Sequence, residues 1–182
     1  SAMSPKEVAR VEQFVRDGGI LLAGVEMATR NEHGFPYKTP PLDQLFGISR
    51  TGGLQEVLDD SLNARGDQKQ MTGTLTLPGS NETVAFHPSF VAPNLKATTA
   101  KAYGSFKMGK RTGKLFFVNR VGQGMAIHMN FPFYYGTGPV ASRIVRWASQ
   151  KAGIHSFAWV EGGRGTELGR FRDGKNYYIV AL

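Results

Sequence analysis

The chain has 182 residues, enough for one ordinary domain with a small appendage, and its 41% apolar and 11% aromatic content is not that of a disordered segment. No run approaches the roughly 20 apolar residues of a membrane span and no signal peptide is visible, although Ser1-Ala2-Met3 reads as a cloning scar, so the compartment is left open. The lack of any cysteine removes disulfides, thiolate metal sites and cysteine nucleophiles together, and the formal charge of +8 is unevenly spread.

Taken from the start, Ser4-Pro5-Lys6-Glu7 has the form of a capping box with proline at a position that loses no hydrogen bond. It predicts a helix whose buried face holds Val8, Val11, Phe14 and Val15, with Lys6, Arg10, Glu12, Gln13 and Arg16 outward. Gly18 is placed to end that helix and Gly19 frees the chain to enter Ile20-Leu21-Leu22-Ala23. An unbroken apolar run suits a strand covered on both faces, and so a parallel sheet flanked by helices. Loops leaving the carboxyl end of such a strand are the usual place for ligand contacts. The polar loop that follows makes Glu26, Arg30, Glu32, His33 and Tyr37 candidate ligand or interface residues, while the turn composition of Asn31-Glu32-His33-Gly34 is equally that of a plain surface loop.

Residues 40–48 read as a short amphipathic helix begun by proline and stopped by glycine, and Leu54, Val57, Leu58 and Leu62 suggest a further helical face. From Thr72 the period becomes two: residues 74–77 and 83–86 flank a turn of hairpin composition. Asn81-Glu82-Thr83 matches a glycosylation sequon, a pattern common by chance. Residues 102–106, 115–118 and 125–131 are three more strand candidates, joined by a basic loop over 107–114 and by Val121-Gly122-Gln123-Gly124. The apolar Leu115-Phe116-Phe117-Val118 belongs in the middle of the sheet. His128 is a lone histidine in a strand, a residue type that more often packs than catalyses, and no partner for it is in view.

Tyr134 and Tyr135 follow at the strand's exit, where aromatic rings can stack on a sugar or cover a core or interface. A second clear helix begins at Pro139, with Val140, Ile144, Val145 and Trp147 or Ala148 inward, and ends at Gly153. Beyond it, residues 156–160, 167–171 and 177–182 read as short strands, with Asp173-Gly174 a strong hairpin signal.

Between Glu82 and Glu161 the chain has no acidic residue, yet it carries Lys101, Lys107, Lys110, Arg111, Lys114, Arg120, Arg143 and Arg146 among other cations. Such a stretch carries a positive surface field. It is either a solvated face, a face that docks on an acidic domain or subunit, or a nucleic-acid surface. The last has no binding motif to support it.

Several stretches taken in order resemble one family: residues 14–22, Asn31-Glu32-His33-Gly34 with residues 41–48, Asn119-Arg120-Val121-Gly122-Gln123-Gly124, and Ala152-Gly153-Ile154. The pattern is similar to the trimerisation domain of family 42 beta-galactosidases and related glycoside hydrolases, over roughly residues 4–153. The resemblance implies an α/β, flavodoxin-like, class I glutamine amidotransferase-like sheet flanked by helices. In that family a catalytic barrel precedes the domain and a small β domain follows, which implies that residues 154–182 open a C-terminal antiparallel module. The family unit has an apolar strand ahead of its first helix, whereas this chain starts at the helix. Either another copy completes the sheet or the local topology differs.

Enzymes of the ancestral fold hold a cysteine nucleophile and a His-Pro-Glu segment, where this chain reads Phe131-Pro132-Phe133. Two apolar rings cannot relay a proton, so amidotransferase chemistry is excluded. Glycoside hydrolysis ordinarily needs two carboxyl groups about 5 to 9.5 Å apart. Near an expected strand exit the sequence offers only Glu26 and Glu32. The expectation is therefore a non-catalytic structural or oligomerisation domain, without cofactor or metal, that pairs with further copies or docks on a catalytic barrel. The alternatives are a carbohydrate-binding module built on residues 30–37 with Tyr134 and Tyr135, and a hydrolase using Glu26 and Glu32.

Overall fold

The computed structural model describes residues 2–50, 71–88, 90–132, 138–154, 168–173 and 176–181, and divides into two compact units, Ser1–Ala152 and Gly153–Leu182. The first unit opens with α1 (Pro5–Arg16), and the capping box is formed: the Glu7 amide donates to Ser4 Oγ at 3.3 Å and the Ser4 amide donates to Glu7 Oε2 at 2.7 Å. That backbone hydrogen bond, with the Ser4 hydroxyl, holds Glu7 below its usual carboxylate range. At the other end the Gly19 amide donates to the Phe14 carbonyl at 2.9 Å and Gly18 to Val15 at 3.1 Å, a Schellman closure. Val8 and Val15 are buried as expected, but Phe14 is 54% exposed. Its ring lies over Gly19, where a Cβ would overlap it, so the side chain covers backbone instead of entering the core.

β1 (Ile20–Ala23) follows, then α2 (Asp43–Phe46), shorter than the expected helix because its next residues belong to β2 (Ile48–Arg50). After residue 70 come β3 (Thr72–Thr76), β4 (Thr83–Phe86), β5 (Leu95–Ala97), β6 (Lys101–Tyr103), β7 (Ser105–Met108), β8 (Arg111–Gly113), β9 (Phe116–Val121), β10 (Gly124–Met129) and α3 (Gly138–Lys151). One four-stranded sheet has the order β1-β10-β9-β6, a second the order β4-β3-β7-β8, and β2 pairs with β5. Among the described residues strands outnumber helices and only β1 and β10 pair in parallel; the other pairings are antiparallel. The expected parallel sheet is thus corrected to a mixed one. The tight connection through Gly122 and Gln123 pairs Val121 with Gly124 and makes β9 and β10 a hairpin, which only antiparallel strands can form.

Two further expectations are corrected. The single strand over 102–106 is two strands in different sheets, separated by Gly104 at φ 64°. A Cβ there would lie 2.7 Å from the Thr74 carbonyl oxygen, so the crossing needs glycine for both its backbone angle and its lack of a side chain. The basic loop over 107–114 is the β7–β8 hairpin, with Lys107 opposite Thr112. The helix expected from Leu54 to Leu62 and the strand expected over 156–160 lie outside the described residues.

The β1-β10-β9-β6 sheet divides the core in two. Along β9 and β10, Phe116, Met125, Ile127 and Met129 join Leu75, Phe86, Phe106, Val140 and Ile144 on one side. Phe117 and Ala126 join Val8, Val15, Leu42, Leu45 and Phe46 on the other. The period of two sends alternate side chains to the two cores. On α3, Val140, Ile144 and Ala148 are buried and Trp147 half-buried, while Val145 is 43% exposed, one helical step off the buried face. Asn130 closes the far end: its Oδ1 accepts from the Ala92 amide at 2.8 Å, and its Nδ2 donates to the Ala92 and Lys114 carbonyls at 2.9 and 3.0 Å.

The second unit contains β11 (Leu168–Asp173) and β12 (Asn176–Ala181), which pair antiparallel as expected, but the register differs from that of an Asp-Gly turn: Asp173 is the last residue of β11 and lies opposite Asn176.

Candidate functional site

The loop leaving β1 folds back on itself into a small tongue. Arg30 bridges to Ala2 on one side and Pro36 on the other. Asn31 Oδ1 accepts from the amides of His33 and Phe35, both at 3.0 Å, and Arg30 Nη1 donates to the Gly34 carbonyl at 2.9 Å. Tyr37 is half-buried, and its hydroxyl donates to the Met3 carbonyl at 3.0 Å, so its polar end serves to anchor the tongue. Glu26, Arg30, Glu32 and His33 are exposed, and so is Phe35 at 66%, held outward on a turn with fixed backbone. Tyr134 and Tyr135 lie outside the described residues.

At the carboxyl ends of β1 and β10 a charged group is buried. Arg50 Nε donates to Asp43 Oδ2 at 3.0 Å and to Oδ1 at 3.2 Å, and Nη1 lies 3.5 Å from the Val25 carbonyl. Burial pushes the Asp43 carboxyl above its usual range, against the opposing pull of the Arg50 guanidinium. His128, opposite Ala23 in the parallel register, is fully buried, with ring centroids 5.0 Å from Phe46 and 6.3 Å from Phe117. Neither of its ring nitrogens, nor Arg50 Nη2, has a hydrogen-bond partner among the described residues. Burial first, and then the Arg50 charge, hold the imidazole well below its ordinary value of 6.5, so it is neutral. The sequence points to a histidine that packs and makes one hydrogen bond; the structure shows one that packs and, among the described residues, makes none. His128 is sealed inside while Glu26 and Glu32 are outside. Among the described residues no group of three or more His, Asp or Glu side chains is placed to hold a metal, and no helix is long and apolar enough to cross a membrane.

The basic residues spread around β6 to β9. Lys107 projects from the exposed face of the β4-β3-β7-β8 sheet beside Thr72 and Thr112, Lys110 and Arg111 sit at the turn of that hairpin, and Lys114 follows it. Lys101 lies with Nζ 5.6 Å from the Tyr103 ring centroid. A groove of about 430 Å³ opens between the β3–β4 turn and α3, bordered by Trp147, Arg143, Arg146 and Glu82. Arg143 Nη1 meets Glu82 Oε2 at 2.6 Å. The Arg143–Glu82 pair was not legible in the sequence, because it joins elements that only the tertiary fold brings together; Asp43 and Arg50, seven residues apart, meet because the chain turns at the left-handed Gly47, past which a helix read over 40–48 does not look.

The fold is that of a mixed α/β protein in which strands dominate. Neither a protein-family model nor a curated protein sequence matches the chain. Solved structures do. The cold-adapted beta-galactosidase from Rahnella sp. R3 is similar over 98% of this chain and 26% of its own, at 16% identity and a TM-score of 0.77. A catalytic mutant of the GH42 beta-galactosidase Gan42B from G. stearothermophilus is similar over 98% of this chain and 24% of its own, at 14% identity and a TM-score of 0.70. The beta-galactosidase from Bacillus circulans sp. alkalophilus is similar over 97% and 25%, at 15% identity and a TM-score of 0.68. The chain thus spans about a quarter of the length of the structures it matches, and a portion of each of these beta-galactosidases has its fold.

Proposed function

We infer that this chain is a non-catalytic structural domain of a glycoside hydrolase-like, beta-galactosidase-related protein, and that it works by association with further copies or with a catalytic barrel. The observation that carries the reading is the fold likeness over nearly the whole chain to about one quarter of several beta-galactosidases, the GH42 enzyme Gan42B among them. The sequence resemblance names that quarter as the trimerisation-type domain, of flavodoxin-like, class I glutamine amidotransferase-like descent. The parallel β1–β10 pair, packed on by α1 and α3, supports such a core.

Two features favour association over chemistry. Strand β1 is apolar and ends its sheet, with a partner on one side only among the described residues, and an open apolar edge is a template for another chain. The stretch without acidic residues between Glu82 and Glu161 presents Lys107, Lys110 and Lys114 to solvent, a surface suited to an acidic partner. Glu26 and Glu32 sit exposed on the surface, outside any enclosed cleft that would hold a sugar between two carboxyl groups. The chain is expected to release no product from chromogenic glycosides. Turnover that disappears in Glu26→Gln or Glu32→Gln would overturn the non-catalytic reading.

A further inference from the structure

We propose that the groove between the β3–β4 turn and α3 is a binding site for an acidic sugar, a pyranose ring carrying a carboxylate. The site lies away from the tongue, and the inference does not depend on the association reading. At about 430 Å³ the groove falls within the roughly 300 to 1,000 Å³ of small-molecule sites.

Its floor is apolar: Leu75 and Val140 are almost wholly buried, with Leu77 and Val84 beside them. Trp147 forms a wall, and two contacts hold it in place. Its Nε1 donates to the Pro78 carbonyl at 3.0 Å, and its ring meets Phe116 edge-on at 5.8 Å. With the indole N–H already satisfied, what remains for a ligand is the apolar body of the ring, the surface on which the C–H face of a pyranose packs.

The rim is polar. The ion pair between Arg143 and Glu82 closes one side, leaving the second carboxylate oxygen of Glu82 to accept from a hydroxyl. Ser80 Oγ accepts from the Glu82 amide at 3.0 Å and keeps its own O–H to donate, and Gln150 offers both a donor and an acceptor. These groups suit neighbouring hydroxyls on one ring.

Charge selects the acidic member of the class. Glu82 neutralises Arg143, while Arg146 has no carboxylate partner among the described residues. A bidentate guanidinium–carboxylate pair would satisfy it. A bare carboxylate would leave the apolar floor uncovered, and a neutral hexose would leave Arg146 without a counter-charge.

The test is a titration of the full chain with galacturonate and glucuronate, with galactose and acetate as comparisons. The readout is the indole N–H resonance of Trp147, assigned with Trp147→Phe. The uronates should shift it saturably and bind at least about tenfold tighter than galactose, with acetate failing to compete. Arg146→Gln, at an exposed helix position, should reduce the uronates to the affinity of galactose, and Gln150→Ala should weaken both sugars. Three results would each overturn the proposal: no saturable shift with any sugar, acetate binding as tightly as the uronates, or uronate binding untouched by Arg146→Gln.

Discussion

Arg50 Nε lies 3.0 Å from Asp43 Oδ2, with only 4% of the arginine side chain and 8% of the aspartate exposed. Breaking such a pair leaves a desolvated charge behind, which costs about 3 to 5 kcal/mol, whereas replacing both members with apolar groups of similar size is often neutral. Arg50→Met alone and Asp43→Leu alone should each lower stability by that amount, and the double variant should recover most of it. Urea unfolding of all four proteins measures the coupling. Additive losses would show that the two charges do not depend on each other.

His128 makes stability sensitive to acid. Its native pKa is held below the ordinary 6.5, so the unfolded chain takes up a proton that the native chain resists. Its contribution is therefore fully present above about pH 6.5 and is lost as pH falls from there toward the native value, at up to about 1.4 kcal/mol per pH unit. Asp43 acts in the opposite sense: its native pKa is raised from 3.8, and its contribution declines as pH rises through that native value. Comparison with His128→Leu isolates the histidine. Unfolding measured across this range should show a shallower slope in the variant, with equal or greater stability at neutral pH because two buried ring nitrogens without a partner among the described residues are gone. An unchanged slope would contradict the assignment.

Gly104→Ala should be among the most damaging single-methyl changes in the molecule. At φ 64° alanine carries a left-handed penalty of about 1 to 2 kcal/mol, and its Cβ would meet the Thr74 carbonyl oxygen at 2.7 Å. The expected loss in a denaturant titration is about 2 kcal/mol or more. Gly109→Ala, with a similar φ of 58° and open space around it, should lose only the conformational part.

Local chemistry made some elements legible in the sequence. The capping box at Ser4, the glycine closure after Asp17, the antiparallel pairing of the last two strands and the alternation along Met125, Ile127 and Met129 rest on contacts between near neighbours in the chain, and each has its counterpart in the structure. The split at Gly104 was not legible, because residues 102–106 have a continuous strand pattern and the reason for the break is the carbonyl of Thr74 on another strand. Phe14 and Val145 are apolar residues one step from a buried face, and periodicity alone cannot say on which side of the boundary they fall. Of the candidate site, the tongue of residues 30–37 was visible from its turn residues. His128 comes to the Asp43–Arg50 pair from a distant strand, and the Trp147 groove is assembled from distant segments, so neither arrangement carries a local signal.

The central claim is that the chain associates. Sedimentation equilibrium over a wide concentration range, repeated at low and high salt, measures this most directly. Self-association is expected, or capture by a beta-galactosidase catalytic barrel of the kind proposed as its neighbour, and it should weaken with salt where the basic face takes part. A chain that stays monomeric at every concentration and ignores the barrel would contradict it.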